Sequence, residues 1–253
     1  MLKQHGKEFI NILQHLKPSK HTYEVFSDWL IMAAASLYSY KNDERVESEY
    51  MEIAKQYSKE ELLKHSQLLD LTVNALEEKE QDFLGEIFTN AELTNARGGQ
   101  FFTPYHVSYM CAKMTISEKE LPNSRILRIN DPTCGAGGML IAGAQVLKEI
   151  EFDYQQNALF IGQDIDARCA RMTYIQLSLL GVPAVVYCMN TLSMQEFWHR
   201  ETIGYWMSGM EYRLRTERLI DNMQELTSQK SITEKLIDIN ITTSKNFTQA
   251  ELF

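Results

Sequence analysis

Residues 126–139 read ILRINDPTCGAGGM, and the fold turns on how they are interpreted. A short apolar run (Ile126, Leu127, Ile129) stops at Asp131-Pro132. A loop of small residues follows, Thr133-Cys134-Gly135-Ala136-Gly137-Gly138, and an apolar, alanine-rich helix begins at Met139. The order is strand, tight glycine turn, helix. Glycine admits positive φ and lets a ligand approach the backbone without a Cβ in the way. The helix N-terminus offers free N–H groups and partial positive charge. An acid at the strand end can hold a cation such as a ligand's amino group, and the loop is built to receive a small molecule with an anionic end. It is not the GxxxxGK[ST] loop of the phosphate-binding NTPases. It is not GxGxxG either, because Leu140 stands where the third glycine would be. Taken alone, the same loop also serves as a ligand-free strand-to-helix turn.

The following segments repeat the alternation. ALFIGQDI (158–165) reads as a second strand ending in Asp164 and Asp166. A helix over 168–180 is closed by Gly181 and Pro183, and AVVYCM (184–189) is a third strand ending at Asn190-Thr191. Strands alternating with helices predict a parallel sheet with right-handed crossovers. Ligands of such sheets sit beyond the carboxyl ends of the strands, and here Asp131, Asp164 and Asn190 stand at three successive ends.

Upstream, residues 1–96 read as helical. Phe9, Ile10, Ile12, Leu13 and Leu16 fall at helical spacing before Pro18, and 23–40 is a second, more apolar helix. No glycine occurs between Gly6 and Gly85. GGQFFTP (98–104) breaks the pattern, with Pro104 opening a helix over 105–114; it also suits an interdomain linker. The net charge of −9 argues against a surface that grips nucleic acid throughout, and a local basic patch remains open. The four cysteines show neither CxxC nor histidine pairing at metal spacing, so they read as reduced cytoplasmic thiols and no metal site is expected. Neither a signal peptide nor a membrane span is legible.

GGQFFTP, DPTCGAGGML, GQDIDARCARMTYIQLSLLG and NTL, in this order and spacing, resemble the N6-adenine DNA methyltransferases, specifically the modification subunits of type I restriction systems. The resemblance covers roughly residues 80–192, and the helical N-terminus is similar to that family's helical domain. It implies an α/β fold with an N-terminal helical domain (1–96), a truncated Rossmann-like S-adenosylmethionine-binding methyltransferase domain (97–192) and a helical C-terminal segment and tail (193–253). It implies S-adenosylmethionine as cofactor. Phe102 and Thr103 would line its methionine end, and Asp131, Thr133, Gly135, Ala136 and Gly137 would form the floor. Asp164 would bind the ribose hydroxyls, where the family usually has Glu. Ile165 would pack on the adenine ring, and Asn190, where the family usually has Asp, would accept from the adenine N6 amino group.

One departure bears on activity. The family's catalytic tetrapeptide, [N/D/S]-P-P-[Y/F/W], follows a fourth strand, holds the target amino group and stacks on the flipped adenine. The five prolines here are Pro18, Pro104, Pro122, Pro132 and Pro183; none are adjacent. No catalytic residue is therefore assigned, and methyl transfer would need a partner chain. The alternative is an inactive cofactor-binding or DNA-associated regulatory or assembly module of a restriction–modification or mobile-element system. The sheet is expected to stop at three strands, with residues 193 onward helical. The first strand would then lie at an open edge, covered by 193–220, by a second chain or by another copy. Phe197, Trp198, Tyr205 and Trp206 would pack while Arg213, Arg215 and Arg218 stay exposed, with DNA contact as the other reading. The chain ends Gln249-Ala250-Glu251-Leu252-Phe253, which resembles the pentapeptide that docks bacterial proteins on the replication sliding clamp.

Overall fold

The computed structural model describes residues 4–91, 102–122 and 125–222. The turn expected at 98–101, the boundary expected at 96/97, the polar stretch 240–248 and the pentapeptide 249–253 lie outside them. Residues 1–210 form one compact unit. In the second unit, the described residues 211–222 are helical.

The first 91 residues contain α1 (Gln4–Leu16), α2 (Thr22–Tyr38), α3 (Glu44–Ala54), α4 (Lys59–Glu78) and α5 (Phe83–Asn90). Their starts are written in capping residues. Ser58 accepts from Glu61 N while Glu61 accepts from Ser58 N at 2.7 Å, the reciprocal box that satisfies two otherwise orphaned donors. Asp43 and Asp82 cap α3 and α5. The apolar run inside α2 is buried nearly all round, as expected of a helix enclosed by others. Phe9 meets Trp29 edge-on at 5.1 Å, and the same aromatic cluster takes in Phe26 and Phe83.

His65 in α4 is 6% exposed, lies edge-on to Tyr57, and neither ring nitrogen has a partner among the described residues. Burial pushes its pKa down from 6.5 to about 4. The ring is neutral when folded and charges on unfolding, so its contribution is fully present above the unfolded pKa. It is lost as pH falls from 6.5 towards about 4. Roughly 3 kcal/mol is involved at about 1.4 kcal/mol per pKa unit. His65→Leu is expected to flatten the acid limb of the stability curve, measured by urea unfolding near neutrality and near pH 5.

After α6 (Tyr105–Thr115) come β1 (Leu127–Asp131), α7 (Gly138–Glu149), a short α8 (Tyr154–Asn157), β2 (Ala158–Asp164), α9 (Ala167–Leu179) and β3 (Ala184–Asn190). These three strands pair in the order β1-β2-β3, all parallel, and α9 packs on α2 and β3. One core cluster runs from Phe9 in α1 through Phe160 in β2 to Cys188 in β3. All four cysteines are free. Among the described residues no helix is long and apolar enough to cross a membrane.

The sheet does not stop at three strands. Residues read as helical form β4 (Gln195–Glu201), antiparallel to β3, followed by α10 (Ile203–Met207). β4 is therefore added on the far side of the sheet from β1, so 195–201 does not cover the β1 edge as expected. The strand is polar and mostly exposed, with only Arg200 buried, so its sequence carries little alternation to read. Tertiary partners decide it instead. Thr202 Oγ1 donates to Val182 O at 2.6 Å and accepts from Ala184 N at 2.9 Å, pinning the strand end beside β3. Arg200 of β4 and Arg171 of α9 converge on the carboxylate of Glu49 in α3, at 3.1 and 2.5 Å.

Candidate functional site

Parallel pairing brings the carboxyl ends of β1, β2 and β3 side by side, which places Asp131, Asp164 and Asn190 along one rim. The loop after β1 is held against that rim by backbone and side-chain bonds. Cys134 N donates to Gln163 O at 2.8 Å, and Gly137 N to Cys134 O at 2.8 Å. Gly135 N donates to Asp164 Oδ2 at 2.9 Å, while Asp166 N donates to Asp164 Oδ1 at 2.8 Å. Gly135 has φ +56°, and a Cβ there would lie 2.9 Å from the Phe102 ring, so glycine is required both by the backbone and by the close approach of Phe102.

From the other side, α9 holds the loop carbonyls. Thr173 Oγ1 donates to Gly135 O at 2.9 Å, and Gln176 Nε2 donates to Ala136 O at 2.8 Å. Gln176 also donates to Asp82 Oδ1 at 2.9 Å and accepts from Leu84 N at 3.0 Å. One buried amide thus joins the start of α5 to the glycine loop.

A cavity of about 660 Å³ opens beside this loop. Phe102, Thr103, Asp131, Thr133, Gly135 and Ala136 line it, and so do Asp164, Ile165 and Asn190. Gly137 (φ +94°) does not; a Cβ there would meet Thr173 of α9, so its glycine serves helix packing rather than the cavity wall. Burial raises the carboxyl pKa of both Asp131 and Asp164, partly offset by their backbone hydrogen bonds. Acids enclosed in this way favour a cationic ligand. Asn190 Oδ1 already accepts from Leu192 N at 3.1 Å and Ser193 N at 3.2 Å, while its Nδ2 has no partner among the described residues. Its carbonyl oxygen is therefore committed to the β3–β4 turn. Burial pushes the Cys134 thiol well up, which favours its protonated form.

The lining also includes residues that sequence reading missed: Asp82, Ser108, Met139 and Leu192. Asp82 reads as an ordinary helix cap, and nothing local signals that α5 brings it to a loop some fifty residues further along the chain.

The sequence profile of the family described as N-6 DNA methylase matches residues 79–236, well over half of the chain. The chain belongs to the N-6 DNA methylase family. The match takes in α5, the whole sheet and the cavity. Among solved structures, a Listeria monocytogenes protein assigned to the class I S-adenosylmethionine-dependent methyltransferases aligns at 15% identity. The alignment covers 83% of this chain and 71% of that chain, with a TM-score of 0.42. No curated protein matches the chain.

For an N-6 DNA methylase family member the cofactor is S-adenosylmethionine, and the cavity meets its chemistry on three counts. Its acids suit a net cation, its strand-end carboxylates can accept from hydroxyl groups, and Ile165 (61% exposed) and Leu192 (97%) add aliphatic surface to its lining.

Proposed function

We propose that this chain is the methyl-donor-binding part of an adenine-specific N6 DNA methyltransferase, and that it modifies DNA only when a second polypeptide supplies the groups that handle the target base. The observation that carries the reading is the gathering of the glycine loop, both strand-end acids and Asn190 around one cavity. When bound, S-adenosylmethionine supplies a methyl group on a sulfonium, ready for transfer to a nucleophilic amino group. The chain's own residues bind and orient. Asp164 accepts from ribose hydroxyls with the lone pairs left beside its two backbone bonds. Ile165 and Leu192 cover the purine, and Phe102 and Thr103 close the methionine end. Asn190 offers its Nδ2–H to a purine ring acceptor rather than its oxygen to the N6 amino group, because that oxygen is already taken.

Two features support the partner requirement. The tetrapeptide is not present in this sequence, which has no adjacent prolines. β1 occupies one end of the sheet among the described residues, and a groove of about 530 Å³ runs beside it, lined by Leu127, Ile129, Cys111 and Ile116. Asp131 and Met139 line both this groove and the donor cavity. A strand of another chain, or of a second copy, paired with β1 would deliver its following loop to the donor's reactive end. Restriction–modification in the cytoplasm, with DNA reached through the partner and clamp docking through residues 249–253, completes this reading. The missing tetrapeptide also favours a second one, an inactive donor-binding regulatory or assembly module.

Calorimetric titration with S-adenosylmethionine tests the shared core of both readings, with one saturable site per chain as the expected result. A folded protein that binds no donor would overturn both. Methyl transfer to adenine in unmethylated DNA, with and without an added fragment carrying the fourth strand and tetrapeptide, then separates them. Transfer only with the fragment supports the enzyme, and none in either case supports the inactive module.

A further inference from the structure

We infer that Asp82 and Ser108 form the subsite for the amino-acid end of the methyl donor, Asp82 accepting from the ammonium group and Ser108 donating to the carboxylate. The inference rests on the donor reading above and adds two residues that the sequence motifs do not contain.

Asp82 is 8% exposed and lines the donor cavity. Its Oδ1 is occupied, accepting from Gly85 N and from Gln176 Nε2, each at 2.9 Å. Its Oδ2 has no hydrogen-bond partner among the described residues. That oxygen lies against two glycines. A Cβ on Gly85 would come within 2.1 Å of it, and one on Gly138, the first residue of α7, within 3.2 Å. Both positions therefore lack a side chain where the carboxyl enters.

A helix cap alone does not explain this arrangement. Capping α5 needs one oxygen, and Ser or Asn would provide it without a second, unfilled acceptor. An acceptor oxygen left without a partner in a largely buried carboxyl group is available to a donor that reaches the cavity. Burial raises the Asp82 pKa, and a bound cation would favour its charged form.

Ser108 in α6 presents the complementary case. It is fully buried, it lines the same cavity, and its Oγ has no partner among the described residues. In the interior of a helix, alanine would be the better helix former and would leave no polar atom unmatched. One unfilled acceptor and one unfilled hydroxyl in the wall of one cavity match a zwitterion. The α-amino-acid group is the only zwitterionic part of the donor. The remainder is a nucleoside and a sulfonium.

The experiment separates this end of the ligand from the rest. S-Adenosylmethionine, S-adenosylhomocysteine and 5′-methylthioadenosine, which lacks the amino-acid group, are titrated calorimetrically into the full chain and into Asp82→Asn and Ser108→Ala. Thermal melts check folding. Asp82→Asn is expected to weaken the first two ligands about ten- to hundredfold, the range of a hydrogen bond to a charged group, while methylthioadenosine changes less than about twofold. Ser108→Ala is expected to weaken the first two about five- to tenfold with the same selectivity. An equal loss for all three ligands would mean that Asp82 only clamps the loop through Gln176, and would overturn the assignment, as would unchanged affinities. Should Asp82→Asn fail to fold, Ser108→Ala decides by the same criterion. Failure of the wild-type chain to bind any of the three ligands would instead remove the donor reading itself.

Discussion

Asp164→Ala is expected to weaken S-adenosylmethionine binding at least about a hundredfold, read by calorimetry. Two losses coincide at that position. The first is the acceptor proposed for the ribose hydroxyls; hydrogen bonds to a charged group are worth about 1.5–3 kcal/mol each, and two of them already exceed a factor of one hundred. The second is the anchor of the glycine loop. Asp164 Oδ2 accepts from Gly135 N at 2.9 Å and Oδ1 accepts from Asp166 N at 2.8 Å, so one carboxylate ties β2 to the loop and to the start of α9. Without it, Gly135 is free to leave the conformation that seats Phe102 against it. Asp164→Asn retains one acceptor oxygen and is expected to lose less. Full affinity in a folded Asp164→Ala variant would mean that the donor does not use this strand end.

Glu49→Ala is expected to destabilise the fold by about 3 kcal/mol, measured by urea unfolding, since removing one partner of a buried pair leaves an uncompensated charge. Glu49 serves two guanidinium groups at once. Arg171 and Arg200 have side chains only 11% and 7% exposed, and Arg171 Nε and Arg200 Nη1 already lack partners among the described residues. Both cations stack near Trp198, at 5.4 and 5.3 Å from its ring, so the residues form one node joining α3, α9 and β4. Glu49 itself is 34% exposed, which places the effect at the lower end for buried pairs. Adding Arg171→Met in the same background is expected to recover part of the loss by removing one orphaned charge. A stability unchanged in Glu49→Ala would show that water satisfies both arginines and that β4 is held by its backbone pairing alone.

Much of the site was legible in the chain because its parts are local. A glycine with positive φ, a proline after the strand-end acid and an alanine-rich helix each follow from the conformations of a few neighbouring residues. β1, β2 and β3 begin and end within a residue or two of their expected bounds. Once a parallel sheet is inferred, groups at successive strand ends must come together, so Asp131, Asp164 and Asn190 share a rim without any knowledge of side-chain packing. Less is legible where a residue's role depends on what comes to meet it. A Cβ on Gly137 would meet Thr173 of α9. Asn190 Oδ1 accepts from two backbone N–H groups of the β3–β4 turn.

β4 marks the same boundary for the fold. QEFWHRE has no alternation to read, and it becomes a strand because β3 offers an unpaired edge and Glu49 draws Arg200 inward. Asp82 and Ser108 mark it for the site, since docking of α5 and α6 brings them to the loop. The sequence alone determined the strand–glycine–helix unit and the parallel sheet, because these depend on backbone sterics and hydrophobic periodicity, while the identity of the ligand was implied by the resemblance of its motifs to a family. Only the tertiary structure decided the fourth strand and the arrival of Asp82 and Ser108 in the cavity wall. Those depend on which buried donors and acceptors find partners, a balance that exists only after distant segments have packed.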